Sequence, residues 1–198
     1  MTRDMRWLFG IIAAALIIVL VYLGSAVSSV SKLAAAARAG DGAAVLDRTN
    51  VQGLRRSLTD QIVRAYLERI GATRKISAME KMLVNTYGAT IADAMVAKML
   101  TADKLTQILK SGNLDAPGVP SFTGLPALAN LHTENWLSLL GRLNFIQPVL
   151  LGIRISDTSD PDGYAAINLH YEGFDWKLSG IELPKAILRE LAASLPAK

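Results

Sequence analysis

Residues 7–27 read WLFGIIAAALIIVLVYLGSAV, and this stretch decides the class of the protein. It belongs to a run of 25 residues, between Arg6 and Lys32, that contains no charged side chain. A helix rises about 1.5 Å per residue, so roughly 20 apolar residues cross a hydrocarbon core of about 30 Å. The stretch therefore predicts one transmembrane helix over residues 7–27.

The residues that flank this helix predict its orientation. Arg3 and Arg6 precede it, Trp7 begins it, and Tyr22 lies near its far end. Basic residues mark the cytoplasmic side of a spanning helix, and aromatic residues are enriched at both membrane interfaces. We therefore expect a cytoplasmic tail over residues 1–6, a single pass through a bacterial inner membrane, and a domain in the periplasm.

A cleavable signal peptide is the alternative interpretation of the same stretch, and it implies a secreted periplasmic protein. Small residues, Gly24-Ser25-Ala26, stand where a cleavage site is expected. However, the apolar run is longer than the roughly 7 to 15 residues of a signal core. Apolar positions also keep helical spacing beyond the cleavage point, at Val27, Val30, Leu33, Ala34 and Ala37. This spacing favours a helix that is retained.

The composition of the remaining chain, residues 28–198, limits what the protein can be. About 170 residues are enough for one domain with a hydrophobic core. The absence of Cys excludes disulfides, thiolate metal sites and cysteine nucleophiles. The formal net charge is +4, and basic residues outnumber acidic ones between Lys32 and Lys81, beside the predicted membrane helix.

Hydrophobic periodicity divides residues 28–198 into four parts. Residues 28–110 show helical spacing, residues 111–134 are a loop rich in Gly and Pro, residues 135–183 have the pattern of strands, and residues 184–195 form a short last helix. Consecutive strands on short turns pair antiparallel. The sequence therefore predicts an α+β fold: a transmembrane helix, a helical segment and a C-terminal antiparallel β-meander.

A basic amphipathic helix is predicted from Val51 to Ile70. Arg55, Arg56 and Arg64 fall outside its apolar stripe, which consists of Val51, Leu54, Leu58, Ile62, Ala65, Tyr66 and Ile70. The three arginines are candidates for contact with anionic lipid headgroups or an acidic partner, and a solvated face is the alternative. Aromatic residues are sparse here and no base-reading motif occurs, so nucleic acid is not an expected partner.

Methionines recur at helical spacing in the next segment, at Met79, Met82, Met95 and Met99. Such a stripe fits a soft-metal or hydrophobic-ligand site, but core packing is the more common use of this spacing. We therefore predict one long helix, interrupted near Gly88, with these methionines in the core. A further short helix is predicted from a Thr101 cap to about Leu109.

Trp176 begins a strand immediately after the predicted hairpin turn from Glu172 to Asp175. A large aromatic side chain in this position can bury roughly 150 to 250 Å². We predict that Trp176 is buried and joins the sheet to the helices.

Short motifs in both halves of the chain carry a family resemblance. They are Ala39-Gly40-Asp41 with Leu46, Val51 to Leu58 (VQGLRRSL), and Trp176-Lys177-Leu178 with Ile181 and Leu183-Pro184. Together with the membrane helix they resemble a bacterial family, the domain of unknown function 2939, over about residues 28–184. The resemblance implies no activity, cofactor or site residue. At the level of fold alone, the chain is also similar to cone-shaped α+β domains of the nuclear-transport-factor or cystatin type.

Catalytic and metal-binding signatures are weak. His132 and His170 are the only histidines, and no metal-binding spacing accompanies them. His132 lies near Glu134, and His170 precedes Glu172 by two residues, so a His–carboxylate acid/base pair is the alternative interpretation. Surface or packed histidines are the favoured interpretation, and no catalytic, metal or cofactor-binding residue is assigned.

The segment DTSDPDG, residues 157–163, resembles a calcium loop in composition because it holds three aspartates near a glycine. The twelfth-position Glu of such a loop is missing, and Pro161 interrupts the segment. A hairpin turn stabilised by Asp side chains is the favoured interpretation.

Two functions from different classes follow. The leading hypothesis is a non-enzymatic accessory or scaffold protein of the membrane, whose domain binds a protein partner, such as another membrane protein, or the lipid bilayer surface. The alternative is a small-ligand pocket or a weak acid/base enzyme that uses His170 or Asp175.

Overall fold

The computed structural model of the protein describes residues 3–115, 120–130, 141–157, 160 and 162–195. Its helices are α1 (Arg3–Ala39), α2 (Gly42–Asp47), α3 (Val51–Thr73), α4 (Ala78–Leu83), a π-helix (Val84–Gly88), α5 (Ala89–Met99), α6 (Ala102–Ser111), a 3₁₀ turn (Leu128–Asn130) and α7 (Lys185–Ala193). Its strands are β1 (Leu143–Gln147), β2 (Leu150–Arg154), β3 (Ala166–Glu172) and β4 (Asp175–Glu182).

Helix α1 is continuous but has two environments along its length. In its first half, Trp7 and the large apolar residues from Ile11 to Val21 are 52% to 75% exposed. In its second half one face is buried in the core, at Ala26, Val30, Leu33, Ala34, Ala36 and Ala37. The packed domain thus begins before residue 28, inside the stretch that the sequence assigns to the membrane.

Helices α2 and α3 each begin at a side chain that caps the first turn. The Asp41 side chain accepts a hydrogen bond from Ala44 N–H at 3.0 Å and caps α2, and Asn50 caps α3 through Gly53 N–H at 2.8 Å. Helix α3 extends to Thr73, beyond the predicted end. Its stripe is confirmed at Leu54, Leu58, Ile62 and Tyr66.

Helices α3 and α6 begin at the predicted positions, with one difference in each. Val51 is exposed, so it is not part of the buried stripe, and the backbone N–H of Asn50 contacts the sheet there by donating to Leu178 O at 2.8 Å. Thr101 is the N-cap residue of α6, but its side chain makes no cap hydrogen bond.

The methionine segment agrees with its prediction in part. Helix α4 continues through the π-helix, which ends at Gly88, into α5, so the interruption near Gly88 is present. Met99 is buried as predicted, but Met79 and Met82 are 73% and 71% exposed, so core packing is wrong for these two. Helix α4 has no buried residue on any face, so its methionines do not reach the core. Helix α5 packs against α3 and buries Met99.

The four strands form one antiparallel sheet in the order β1-β2-β3-β4, which confirms the α+β fold and the β-meander. Leu150 pairs with His170, so the β1–β2 turn and the β3–β4 turn lie at the same end of the sheet. Gly173 and Phe174 have φ values of 60° and 71°, the left-handed conformations of a two-residue hairpin turn.

One face of the sheet forms the core with the helices. Its buried side chains come from three strands: Leu151, Ile153, Ile167, Leu169, Trp176, Leu178 and Ile181. Helix α3 runs along β4, since Asn50 contacts Leu178 and Gln61 donates to Ile181 O at 2.8 Å. From its N-terminus to its C-terminus, α3 therefore runs away from the end of the sheet that carries the hairpin turns.

The predicted loop rich in Gly and Pro is anchored by Leu114 and Phe122, which are buried and form an isolated bridge. His132 and Glu134 lie outside the described residues, and so does the start of the predicted strand region.

Candidate functional site

Helix α1 meets the sheet at a cluster of side chains that we call the aromatic junction: Tyr22, Ser25, Tyr171 and Trp176. Trp176 is 2% exposed, which confirms that it is buried. Its Nε1 donates to Ser25 Oγ at 3.0 Å. The rings of Tyr22 and Tyr171 lie 5.0 and 5.2 Å from the Trp176 ring, centroid to centroid. Tilted or edge contacts of this kind add to the stability that burial provides.

Asp175 extends this junction. Its carboxylate accepts hydrogen bonds from Ser29 Oγ at 2.5 Å and from the Trp176 backbone N–H at 2.9 Å, and Arg48 lies 3.8 Å away. The hydrogen bond from Ser29 is the main cause that holds the pKa of Asp175 below its usual value. A carboxyl group whose pKa is lowered is a poor general base near neutral pH, because it binds a proton weakly. The contacts of Asp175 are those of a tether between β4 and α1.

His170 lies in β3, and its Nδ1 is buried without a hydrogen-bond partner. Glu172, the carboxylate that the sequence offered as its partner, accepts instead from Asn50 Nδ2 at 3.0 Å. The contacts of Glu172 therefore do not support the acid/base pair.

A cleft of about 840 Å³ lies between α3, the sheet and α7, and we call it the polar cleft because most of its lining residues are polar or charged, among them Ser57, Gln61, Arg64, Asn168, Glu182 and Arg189. Asn168 contributes to its floor: its Nδ2 donates to Glu182 Oε1 at 3.1 Å, while its Oδ1 is buried without a partner. Burial, aided by the negative charge of Glu182, raises the pKa of Tyr164. Neither His170 nor Asp175 lines this cleft, and sequence reasoning missed it because its residues come from separate elements.

The three arginines predicted as a surface site differ in their surroundings. Arg55 forms a bidentate ion pair with both carboxylate oxygens of Asp93 on α5. This pair raises the pKa of the Arg55 guanidinium. Arg56 is exposed, and Arg64 lines the polar cleft. Arg55 and Arg64 are separated by about 14 Å along α3. Binding of a lipid or protein surface by these residues stays a prediction.

The aspartate-rich turn after β2 is held by ion pairs. Arg142 contacts Asp157 and Arg189 contacts Asp162, each at 2.7 Å, while Asp160 Oδ1 accepts from Asp162 N–H at 3.2 Å. Within the part of the chain that the structure describes, no three His, Asp or Glu side chains group as a metal site.

A family model described as a protein of unknown function, DUF2939, matches residues 15–108. The resemblance to the DUF2939 family is confirmed. The match begins inside the apolar half of α1 and ends in α6, so the motifs around Trp176 lie outside it. No curated protein and no solved structure matches the chain, and the likeness to cone-shaped domains stays a prediction.

The part of the chain that the family model matches, residues 15–108, includes an exposed apolar surface, which we call the α4–α5 strip. It consists of Met79, Met82, Leu83, Tyr87 and Ile91, all of them exposed. Contiguous exposed apolar side chains on a folded domain often mark an interaction site. The sequence signal for this strip was the methionine spacing, which is the same for a buried and for an exposed stripe.

The matched residues 15–108 also include most of the candidate membrane segment. Among the described residues, the segment Gly10–Ala39 of α1 is long and apolar enough to cross a membrane, with a mean hydropathy of 2.6 in its best window. By length and composition it is compatible with a membrane anchor or a signal peptide.

Proposed function

We propose that this protein is a single-pass accessory protein of the bacterial inner membrane, with its N-terminus in the cytoplasm and its domain in the periplasm. The observation that carries the proposal is that the candidate membrane segment and the packed domain are parts of the same helix, α1. Its first half is apolar and exposed, while Ser25 and Ala26, at the supposed cleavage site, pack against the domain. The family match also begins at residue 15, upstream of that site.

Cleavage after Ala26 would damage the aromatic junction. It removes Ser25, the acceptor for the Trp176 indole N–H, and Tyr22, which packs on the same ring. A buried donor that loses its partner costs about 1 to 3 kcal/mol. A mature chain that begins at Val27 is therefore expected to be poorly packed, which favours retention of α1.

Site-specific labelling tests this topology. Because the chain has no Cys, one introduced Cys is the only thiol. In intact bacterial cells, a maleimide that passes only the outer membrane should label Gln107→Cys, whose site is exposed, and should label Thr2→Cys only after lysis. Mass spectrometry of the protein should show the residues before Val27. A mature chain that begins near Val27 would instead support the secreted alternative.

We further propose that the domain binds a protein partner through the α4–α5 strip. Exposed methionines adapt to irregular apolar surfaces, and Tyr87 adds an aromatic anchor. A photo-crosslinking residue at Met82 should form a specific protein adduct in cells, and the adduct should disappear with Tyr87→Glu. The same residue at the exposed Gln107 is the matched control. Equal adducts at both sites would contradict a specific interface.

A second candidate function, small-ligand binding, has support from the polar cleft. The unpartnered Asn168 Oδ1 is a buried acceptor, and buried polar atoms usually have a partner. Native mass spectrometry of the purified protein should then detect a bound small molecule that Asn168→Leu abolishes and Gln107→Ala does not. We do not favour acid/base catalysis by His170 or Asp175, because Asp175 is tied to α1.

A further inference from the structure

An edge strand of the sheet exposes apolar side chains. Phe145 of β1 is 60% exposed, and Ile146 and Val149 beside it are also exposed. Edge strands of soluble proteins usually carry charges that prevent association. Here residues 143–153, which form β1, its turn and most of β2, contain no charged residue. We call Phe145, Ile146 and Val149 the hairpin tip.

The hairpin tip is attached to α1 at the end of its exposed apolar half. The Tyr22 hydroxyl donates a hydrogen bond to the backbone carbonyl of Pro148, in the β1–β2 turn. Side chains of a helix tilt toward its N-terminus, so the Tyr22 hydroxyl lies on the N-terminal side of its own Cα. The turn is therefore level with the last exposed residues of α1.

The length of α1 sets the position of the bilayer relative to this contact. The exposed half from Trp7 to Val21 has 15 residues and is about 22 Å long. This is shorter than a hydrocarbon core of about 30 Å, which needs roughly 20 residues. Counted from Trp7, the span ends near Ala26. The outer boundary of the core is thus beyond Tyr22, which places the hairpin tip inside the outer leaflet.

We propose that the hairpin tip is a second membrane contact, at which Phe145, Ile146 and Val149 enter the outer leaflet of the bilayer that α1 crosses. The proposal rests on the proposed function, because it requires that α1 is retained as a membrane span. Its occupant is lipid: the tip is uncharged, apolar, and joined to the helix at membrane depth. Two contacts fix the tilt of the domain, whereas one helix alone leaves the domain free to rotate about it.

Depth-dependent quenching tests this proposal. The full chain is labelled with an environment-sensitive fluorophore at a single introduced Cys and reconstituted in phosphatidylcholine–phosphatidylglycerol vesicles that contain doxyl-labelled lipid. Three sites are compared: Val149→Cys in the hairpin tip, Val19→Cys in α1, and the exposed Gln107→Cys. We expect strong quenching at residues 19 and 149 and none at residue 107.

The three sites separate the two proposals. Quenching at residue 19 without quenching at residue 149 overturns the hairpin contact and leaves the membrane anchor intact. No quenching at residue 19 overturns the anchor, and with it the hairpin contact. Because these vesicles contain no other protein, a tip that binds a protein partner gives the first of these results.

A pair of substitutions at the tip provides a second readout. With the fluorophore at Phe145→Cys, Val149→Glu should lower lipid quenching several-fold, because it places a charge in the leaflet. Val149→Leu should leave quenching unchanged. Position 149 is exposed, so both variants are expected to fold, and equal quenching in the two would contradict insertion of the tip.

Discussion

Trp176 Nε1 lies 3.0 Å from Ser25 Oγ and donates a hydrogen bond to it, which joins the last strand to the N-terminal helix across 151 positions of the chain. The same Ser25 hydroxyl donates to the carbonyl of Tyr22, one turn earlier in α1, at 2.7 Å. Ser25 thus acts as acceptor and donor at once. Ser25 therefore joins the apolar helix to the domain at this point.

Replacement of the buried indole should cost the most stability. Trp176→Ala removes the ring that packs against Tyr22 and Tyr171, and we expect a loss of about 3 to 5 kcal/mol. Denaturant unfolding of the full chain in mild detergent measures this loss. Trp176→Phe keeps an aromatic ring and should cost less. A loss below about 1 kcal/mol for the alanine variant would contradict the role of Trp176 as an anchor.

Removal of the hydroxyl that accepts the indole N–H should also be measurable. Ser25→Ala leaves Trp176 Nε1 without this acceptor and is expected to cost about 1 to 3 kcal/mol. Ser28 lies on the exposed side of the same helix and is the matched control. Ser28→Ala should change stability by less than about 0.5 kcal/mol. Equal effects of the two variants would show that a water replaces the contact.

The lowered pKa of Asp175 predicts a pH dependence. Its main cause is the hydrogen bond from Ser29, and Trp176 N–H and the positive charges of Lys32 and Arg48 act in the same direction, against burial. A carboxyl whose folded pKa is lowered stabilises the fold fully above its unfolded pKa, about 3.9, and loses this contribution as pH falls through the folded pKa. Stability should therefore decline below about pH 4.

Asp175→Asn tests this dependence. At neutral pH we expect a loss of about 1 kcal/mol, below the usual contribution of hydrogen bonds to a charged group because the side chain is 47% exposed. The variant should also lose less stability than the natural sequence between about pH 4 and pH 2. Parallel curves for the two proteins in that window would contradict the assignment.

A glycine at the end of α6 is required by both backbone and space. Gly112 has a φ of +72°, and a Cβ there would lie 1.7 Å from Leu125 O. Gly112→Ala should therefore cost well over 1 kcal/mol, measured by thermal unfolding (about 1 kcal/mol is the usual scale of backbone strain alone). Gly124 also has a positive φ, +88°, but a Cβ added there would have no atom within 4 Å. Gly124→Ala reports backbone strain alone and should cost less.

Truncation should locate the start of the packed domain. A chain that begins at Leu20 keeps Tyr22, Ser25 and Ala26 and is expected to fold cooperatively. A chain that begins at Ser28 lacks all three and should be less stable or aggregate, since it exposes the Trp176 ring. Circular dichroism during thermal unfolding compares the two. Identical transitions would place the domain boundary at residue 28, as the sequence alone suggests.

Features that depend on neighbouring residues were predictable. The apolar length of α1, the stripe of α3, and the hairpin turn at Gly173 follow from local composition and spacing, because helical and strand periods are properties of a short segment. Burial of Trp176 was also predictable, because a large aromatic side chain after a tight turn in a strand has few other places to pack.

Other features depend on contacts between distant segments. The partner of Arg55 was not predictable, because Asp93 lies 38 positions away and is brought near only by the packing of α5 on α3. The polar cleft combines residues of α3, the sheet and α7 for the same reason. The exposure of Met79 and Met82 was not predictable either, because it depends on whether α4 packs on the core, and α4 has no buried residue.

By itself, the sequence determined the order of helices and strands, the antiparallel meander and the long apolar helix, since each follows from a local pattern of side chains. Only the tertiary structure decided that this helix ends inside the domain core, with Tyr22 bound to Pro148 and Ser25 bound to Trp176. The physical reason is that an apolar segment satisfies the same hydrophobic requirement in lipid or in a protein core. Whether a given residue of the segment lies in lipid or in the core depends on which distant side chains contact it.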